Sequence, residues 1–256
     1  MLKSTLQILA LPLLFALAPL PAMAVVLNTP SIADTTIGDG GAATSNRGAQ
    51  LVQYVGDPGA RFKSLFQFSL AGIPANQTID SATLQLAIAD NGGLFTSQTV
   101  DLRRMLVSWI EGDGTSNASP GTTGATWITR DQAGSLANWS AAGASSALDR
   151  SATITATVGS ANVSGGILSI DVTGDVQQWY SGFASNFGWL LEDTAPAGNY
   201  IGFATKEHAT LQEPTLVVNY SEIPLPAPEP SSLVLFAMGG CALAIRRRHL
   251  RTVGRR

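Results

Sequence analysis

Apolar residues recur at every second position along much of this chain. Phe66, Phe68 and Leu70 alternate with Gln67 and Ser69, and Leu84, Leu86 and Ile88 alternate with Gln85 and Ala87. Successive side chains of a strand point to opposite faces, so this spacing describes strands with one buried face. It recurs at Val100–Leu102, Ile154–Ala156–Val158, Leu168–Ile170–Val172, Trp189–Leu191, Ile201–Phe203 and Leu216–Val218–Tyr220. Turn formers stand between the runs: Asp57-Pro58-Gly59, Asn91-Gly92-Gly93, Ser164-Gly165-Gly166 and Ala195-Pro196-Ala197-Gly198. Many short strands so punctuated predict an all-β fold, a β-sandwich of jelly-roll type.

Two stretches depart from this rhythm. Between Asp171 and Tyr180, Val172, Val176 and Trp179 fall at i, i+4 and i+7, which predicts a short helix closing one end of the sandwich. From Glu111 to Ser151 the alternation weakens and Gly, Ser, Thr, Ala and Asn dominate. That length without periodicity predicts a functional loop excursion or a mobile insertion, with Trp127 and Trp139 exposed on it.

The two ends have a different character. Residues 1–24 carry Lys3, an apolar run from Leu6 to Leu20 and then Ala22-Met23-Ala24. A basic start, an apolar middle and an A-x-A site describe a signal peptide, with Ala22 and Ala24 marking cleavage by signal peptidase after passage through the secretion machinery. Residues 25–221 are the predicted sandwich. Residues 222–230 form a Pro-rich spacer in which alternate prolines exclude helix. Residues 231–256 are a short transmembrane helix with an arginine-rich end. Its apolar part, Ser231 to Ile245, spans about 22 Å as a helix against about 30 Å of hydrocarbon, with the arginines on the cytoplasmic side.

Charge excludes one class of partner. The formal net charge of −3 includes six tail arginines; residues 25–226 hold 8 basic against 17 acidic residues, a net charge near −9. Such a body has no footprint for phosphate backbones, so nucleic acid is not a partner. The single cysteine, Cys241, lies in the tail, so the domain forms no internal disulfide and rests on burial.

The tail resembles the PEP-CTERM sorting signal. Pro228-Glu229-Pro230, a short apolar helix and Arg246-Arg247-Arg248 occur in the order of that family. The resemblance implies transient anchoring in the inner membrane of a Gram-negative bacterium, recognition by an exosortase, removal of the tail and delivery to the cell surface or extracellular matrix.

The body resembles the DNRLRE-type domain, a family of secreted β-sandwiches related to carbohydrate-binding modules. The matching stretches are Ala33-Asp34-Thr35-Thr36-Ile37, Lys63 to Leu70 with Ile73-Pro74, Ile79 to Leu86, Ser108-Trp109-Ile110-Glu111, Asp171-Val172-Thr173, Phe203 to Glu207 and Pro214 to Tyr220. Gly112 to Thr126 is a longer loop than the family's pattern. The resemblance implies a jelly roll and glycan binding.

Stacking on sugar rings requires aromatic faces, and gripping hydroxyls requires charged or amide groups. Trp127 and Trp139 are the candidate platforms, because Trp109 and Trp179 sit within regular patterns and read as core. Lys206 and Glu207, Arg61 and Lys63 are the candidate polar contacts. As an adjacent pair in a strand, Lys206 and Glu207 would face opposite ways and pair across strands with Arg61, Lys63 or Asp34. Structural calcium is an expectation on ligand type alone, since the segments Asp34 to Gly41, including Asp39, and Asp90-Asn91-Gly92 supply oxygens. No other cofactor is expected. With His208 as the only histidine of the body, triad hydrolysis and zinc are disfavoured. Glu111, Glu192, Asp193 and Glu207 are the acids that a glycan hydrolase or lyase would use. The sequence reads best as a non-enzymatic, exosortase-sorted envelope protein whose domain binds extracellular polysaccharide. The alternatives are a matrix component without a specific ligand and, behind it, the carboxylate enzyme.

Overall fold

A computed structural model describes residues 24–93, 95, 99–193 and 198–222. The expected leader with Ala22, most of the Pro-rich spacer with Pro228, Glu229 and Pro230, and the expected helix with Arg246, Arg247 and Arg248 lie outside the described residues. Among the described residues no helix is long and apolar enough to cross a membrane.

Eleven strands and one α-helix, joined by loops that include three short 3-10 turns, make up the described domain: β1 (Ala24–Gly38), β2 (Val52–Gly56), β3 (Phe62–Phe68), β4 (Gln77–Gly92), β5 (Val100–Arg104), β6 (Ala156–Val158), β7 (Val163–Ser164), β8 (Ile167–Asp171), α1 (Thr173–Tyr180), β9 (Trp189–Asp193), β10 (Tyr200–Ala204) and β11 (Thr215–Glu222). The strand ladders are antiparallel. One sheet runs β1, β11, β4, β8, β7. The other runs β1, β3, β9, β5, β6, and β2 joins β10 and the end of β4 beside it.

The two longest strands belong to both sheets. β1 pairs with β11 from Ala24 to Pro30 and with β3 from Ser31 onward, the register slipping between Ser31 and Ala33. β4 pairs with β8 through Ala87 and turns to β10 at Ile88. Such irregularities let a strand bend from one sheet into the next. At the tip of β7 and β8, Gly165 and Gly166 both take positive φ, 57° and 79°, as a two-residue hairpin turn requires.

Period two decides what each sheet buries. Phe66 and Phe68 of β3, Trp189 and Leu191 of β9, Leu84 and Leu86 of β4, Leu168 and Ile170 of β8 and Leu216 and Val218 of β11 meet in one core lined by both sheets. Burying each such side chain contributes about 1.5–3 kcal/mol. The helix expected at 171–180 forms, and Val172, Val176 and Trp179 enter this core, the Trp179 ring 4.4 Å from that of Trp189.

The opposite face of the β1–β3–β9–β5 sheet is also covered. Ile37, Leu65 and Leu190, the outward neighbours of inward-facing residues, pack with Met105, Trp109, Ala125, Trp139 and Ala144 in a second core. The segment 106–151 therefore lies packed over the sheet as a covering layer. It lacks periodicity because side chains organise its backbone in place of strand ladders. Asn46 donates to the carbonyls of Glu111 and Ala125 and accepts from the amides of Gly48 and Gly114. Asp131 accepts from the amides of Gly124, Ala133 and Ser135, and Asp149 from those of Ser140 and Ala141.

Trp139 is accordingly no exposed platform. It is 5% exposed, and its indole N–H donates to the Thr126 carbonyl at 2.8 Å. An isolated tryptophan among small residues was expected to be exposed; here it is the large side chain that the small residues surround.

The Trp139→Ala variant should lose about 3–5 kcal/mol in urea unfolding, as large truncations in a packed core do. The hydrogen bonds that Asp131 accepts hold its carboxyl at about 2, below its ordinary 3.8. A depressed native pKa stabilises the fold above pH 4 and is lost as pH falls toward 2. Asp131→Asn should therefore lower the melting temperature at pH 7 and flatten its dependence on pH between 4 and 2.

Candidate functional site

Strand β3 brings three of the expected site residues together. Lys63 and the preceding Arg61 share the outer side of this strand, two residues apart, and both reach one partly exposed ring. The Lys63 ammonium lies 5.4 Å from the centre of the Trp127 ring and the Arg61 guanidinium 5.9 Å from it. These are distances at which a cation is attracted to the ring's face. Behind the ring stands Gly143 with φ 70°, where a Cβ would lie 2.6 Å from Trp127. The Gly143 amide also donates to the Trp127 carbonyl at 2.6 Å.

The two cations are themselves held. Arg61 pairs with Asp39 at 3.1 Å, so Asp39 points to that guanidinium and not into a liganding loop with Asp34. The ammonium of Lys63 donates to the Gly143 carbonyl at 3.0 Å and the Ser145 hydroxyl at 3.1 Å, and it pairs with Glu192 at 2.9 Å. Burial pushes the Lys63 pKa down, with Glu192 opposing. Arg103 and Arg150 also converge on Glu192, at 2.9 and 3.1 Å. That carboxylate is the anchor of a buried ionic network.

Lys206 and Glu207 form a separate cluster. They follow β10 in a turn, so the expectation that they face opposite sides of a strand does not hold. The Lys206 ammonium pairs with Glu111 at 2.5 Å and with Glu207 at 3.8 Å, and its backbone amide donates to Asp34 at 3.1 Å. Neither Arg61 nor Lys63 takes part. Asp34 lies on β1 and is 0% exposed. One of its oxygens, Oδ2, accepts from Ser31 at 2.8 Å, and its amide donates to Glu111 at 2.8 Å. Burial pushes the Asp34 carboxyl up to about 7, against the lowering effect of those bonds. The Glu111 carboxyl is raised by the same cause. Of the segments expected to offer calcium ligands, Asp34 to Gly38 and Asp90 to Gly92 are strand, not loop.

Residues 26–150 match carbohydrate-binding module family 96, and residues 226–248 match the PEP-CTERM protein-sorting motif. The chain is thus similar to a family 96 carbohydrate-binding module over the first of these stretches and to a PEP-CTERM sorting motif over the second. The matched family is one of binding modules, and no enzyme family matches. The sorting motif implies export and placement at the cell surface, and its match includes Pro228, Glu229, Pro230 and Arg246 to Arg248. No curated protein matches the chain.

The module's matched stretch contains Arg61, Lys63, Trp127 and Trp139, and it ends before β6. Strands β6 to β11 and α1 complete the cores that the stretch begins.

A second aromatic group escaped the sequence reading. Tyr54 of β2, Phe62 of β3 and Tyr200 of β10 are each partly exposed; the Tyr54 ring lies 6.4 Å from Phe62 and 5.7 Å from Tyr200. The Arg47 guanidinium stands 4.8 Å over Phe62. Gly92 makes room for Tyr200, since a Cβ there would meet the ring at 2.3 Å. The available signal was Tyr54 and Tyr200 beside the turns at Asp57-Pro58-Gly59 and Gly198; the β2–β10 ladder sets Tyr54 opposite Gly202 and Tyr200 opposite Gly56. A cavity of about 360 Å³ beside α1 is lined by Arg104, Thr155, Asp171, Thr173, Asp175 and Gln178 among others, with no aromatic ring.

Lys206→Met leaves Asp34, Glu111 and Glu207 without their ammonium. We expect it to cost about 1–3 kcal/mol in urea unfolding at pH 8, as losing a charged hydrogen-bond partner in a partly buried pair does. Arg61→Ala removes an exposed pair and should change stability by no more than about 1 kcal/mol.

Proposed function

We propose that the module binds extracellular polysaccharide on the Trp127 surface and that the protein works as a non-enzymatic component of the cell envelope. Trp127 is the stacking platform, the exposed Arg61 supplies a polar contact beside it, and Lys63, whose three donors are taken by Gly143, Ser145 and Glu192, holds the ring in position. One observation carries this reading: Trp127 is a partly exposed ring whose back is fixed by Gly143 and whose flanks are occupied by two cations already held in place. A ring immobilised before binding loses little entropy when a sugar stacks on it. The cavity beside α1 has polar groups but no platform, which favours the Trp127 surface over it.

In the same reading the domain is a jelly roll. A signal peptidase cuts beside Ala22 and Ala24, the tail anchors the protein transiently in the inner membrane of a Gram-negative cell, and an exosortase releases it to the surface or matrix. The support for this sequence of events is the order of signal peptide, domain, Pro228-Glu229-Pro230, apolar stretch and arginines.

A glycan array followed by affinity electrophoresis tests the binding claim. Saturable retention should be weakened about ten-fold or more by Trp127→Ala, the loss of one stacked ring being worth roughly 1.4 kcal/mol. The far-ultraviolet circular dichroism should stay that of a folded β-domain. Absence of retention by any glycan would return the protein to a structural role in the matrix, and reducing ends released from a polysaccharide would make it an enzyme.

A further inference from the structure

We propose that Asp34, Glu111 and Glu207 bind one hard divalent cation, calcium foremost. The three residues come from β1, from the start of the layer over the sheet and from the turn after β10. Each offers a carboxylate oxygen, and the three oxygens lie within 4.8 Å of one another. An ion 2.3–2.6 Å from each of its ligands, the range for calcium and oxygen, reaches oxygens at such spacings together.

The cluster is more than a patch of acids. Asp34 is 0% exposed, and its Oδ1 has no hydrogen-bond partner; the buried Oε2 of Glu207 has none either. A buried carboxylate oxygen without a donor is costly, and a native site ordinarily satisfies it with a proton donor or an ion. The one ammonium present does not meet this need, because Lys206 is engaged with Glu111 and stands 3.8 Å from the other oxygen of Glu207. When all three are ionised, the carboxylates against one ammonium carry two unbalanced negative charges, the charge of a divalent ion. Such an ion would tie the covering layer, through Glu111, to β1 and to the turn after β10. The inference does not rest on glycan binding at Trp127.

Equilibrium dialysis of the purified full-length protein, stripped with a chelator, against calcium chloride tests it. The expected result is one equivalent of calcium per chain, with a melting temperature that rises as calcium is added. Glu207→Gln should weaken the affinity by about ten-fold or more, since charge count among the ligands sets calcium affinity. Asp34→Asn should abolish the binding. Glu207 sits in a surface turn, so its variant remains informative if Asp34→Asn fails to fold. The proposal is overturned if no saturable calcium is taken up at millimolar concentrations, or if the same equivalent binds to Glu207→Gln with parental affinity. Loss of glycan retention in Trp127→Ala with calcium uptake intact would leave this site standing, and the reverse would leave the other.

Discussion

The sheet of β1, β3, β9 and β5 is buried on both faces, and the rest of the domain is arranged around that constraint. On one face, Phe66, Trp189 and Leu191 enter the core between the sheets; on the other, Leu65 and Leu190 meet the layer of residues 106–151. Because side chains alternate, shifting β3 by one residue would exchange the two sets, placing Lys63 toward the inner core and Phe66 under the layer. The same register that fixes the two cores fixes the site. Lys63 reaches Trp127 only because it shares its face with Leu65.

The outer interface is divided by chemistry. Where Leu65, Leu190 and Ile37 face the layer, the contact is apolar; where Lys63, Glu192, Arg103 and Asp101 face it, the contact is ionic. Buried ion pairs contribute little net stability over an apolar replacement, but removing one partner strands the other. That asymmetry makes the ionic half a device for alignment. Glu192 accepts from three cations on β3, β5 and the end of the layer, at positions that only one register can satisfy.

The legible parts of the sequence were those in which apolar residues recur at every second position. Phe66 and Phe68, Leu84 and Leu86, and Leu216 and Val218 alternate with polar neighbours, and each pair lies in a strand of the core. β1 was not legible as a strand because its last five residues, Asp34 to Gly38, are buried on both sides, so that polar and apolar positions carry the same exposure. The layer was misread for a related reason: its order comes from Asn46, Asp131 and Asp149 bonding to backbone amides and carbonyls, and such bonds leave no period in the sequence. Trp127 and Trp139 looked equivalent as isolated rings in that stretch. Their difference is a matter of tertiary position, Trp139 facing Ala125 and Ala144 while Trp127 lies at the edge beside Arg61 and Lys63. The Asp34, Glu111 and Glu207 cluster joins positions far apart in the chain, and adjacency of Lys206 to Glu207 hinted at charge pairing without naming the partners.

The first and last strands bear on how such a domain tolerates processing. β1 enters the sheet at Ala24 opposite Ser221 of β11, and seven successive pairs follow from Ala24 to Pro30. The chain thus leaves the domain beside the point at which it enters. Both cores are built from residues between those ends, starting at Leu27 and closing at Tyr220. Among the described residues none before Leu27 or after Tyr220 enters either core, and the terminal β1–β11 pairing holds the two ends of the domain together. A domain closed by pairing its own first and last strands keeps its stability between its ends, where few contacts need cross to what lies beyond.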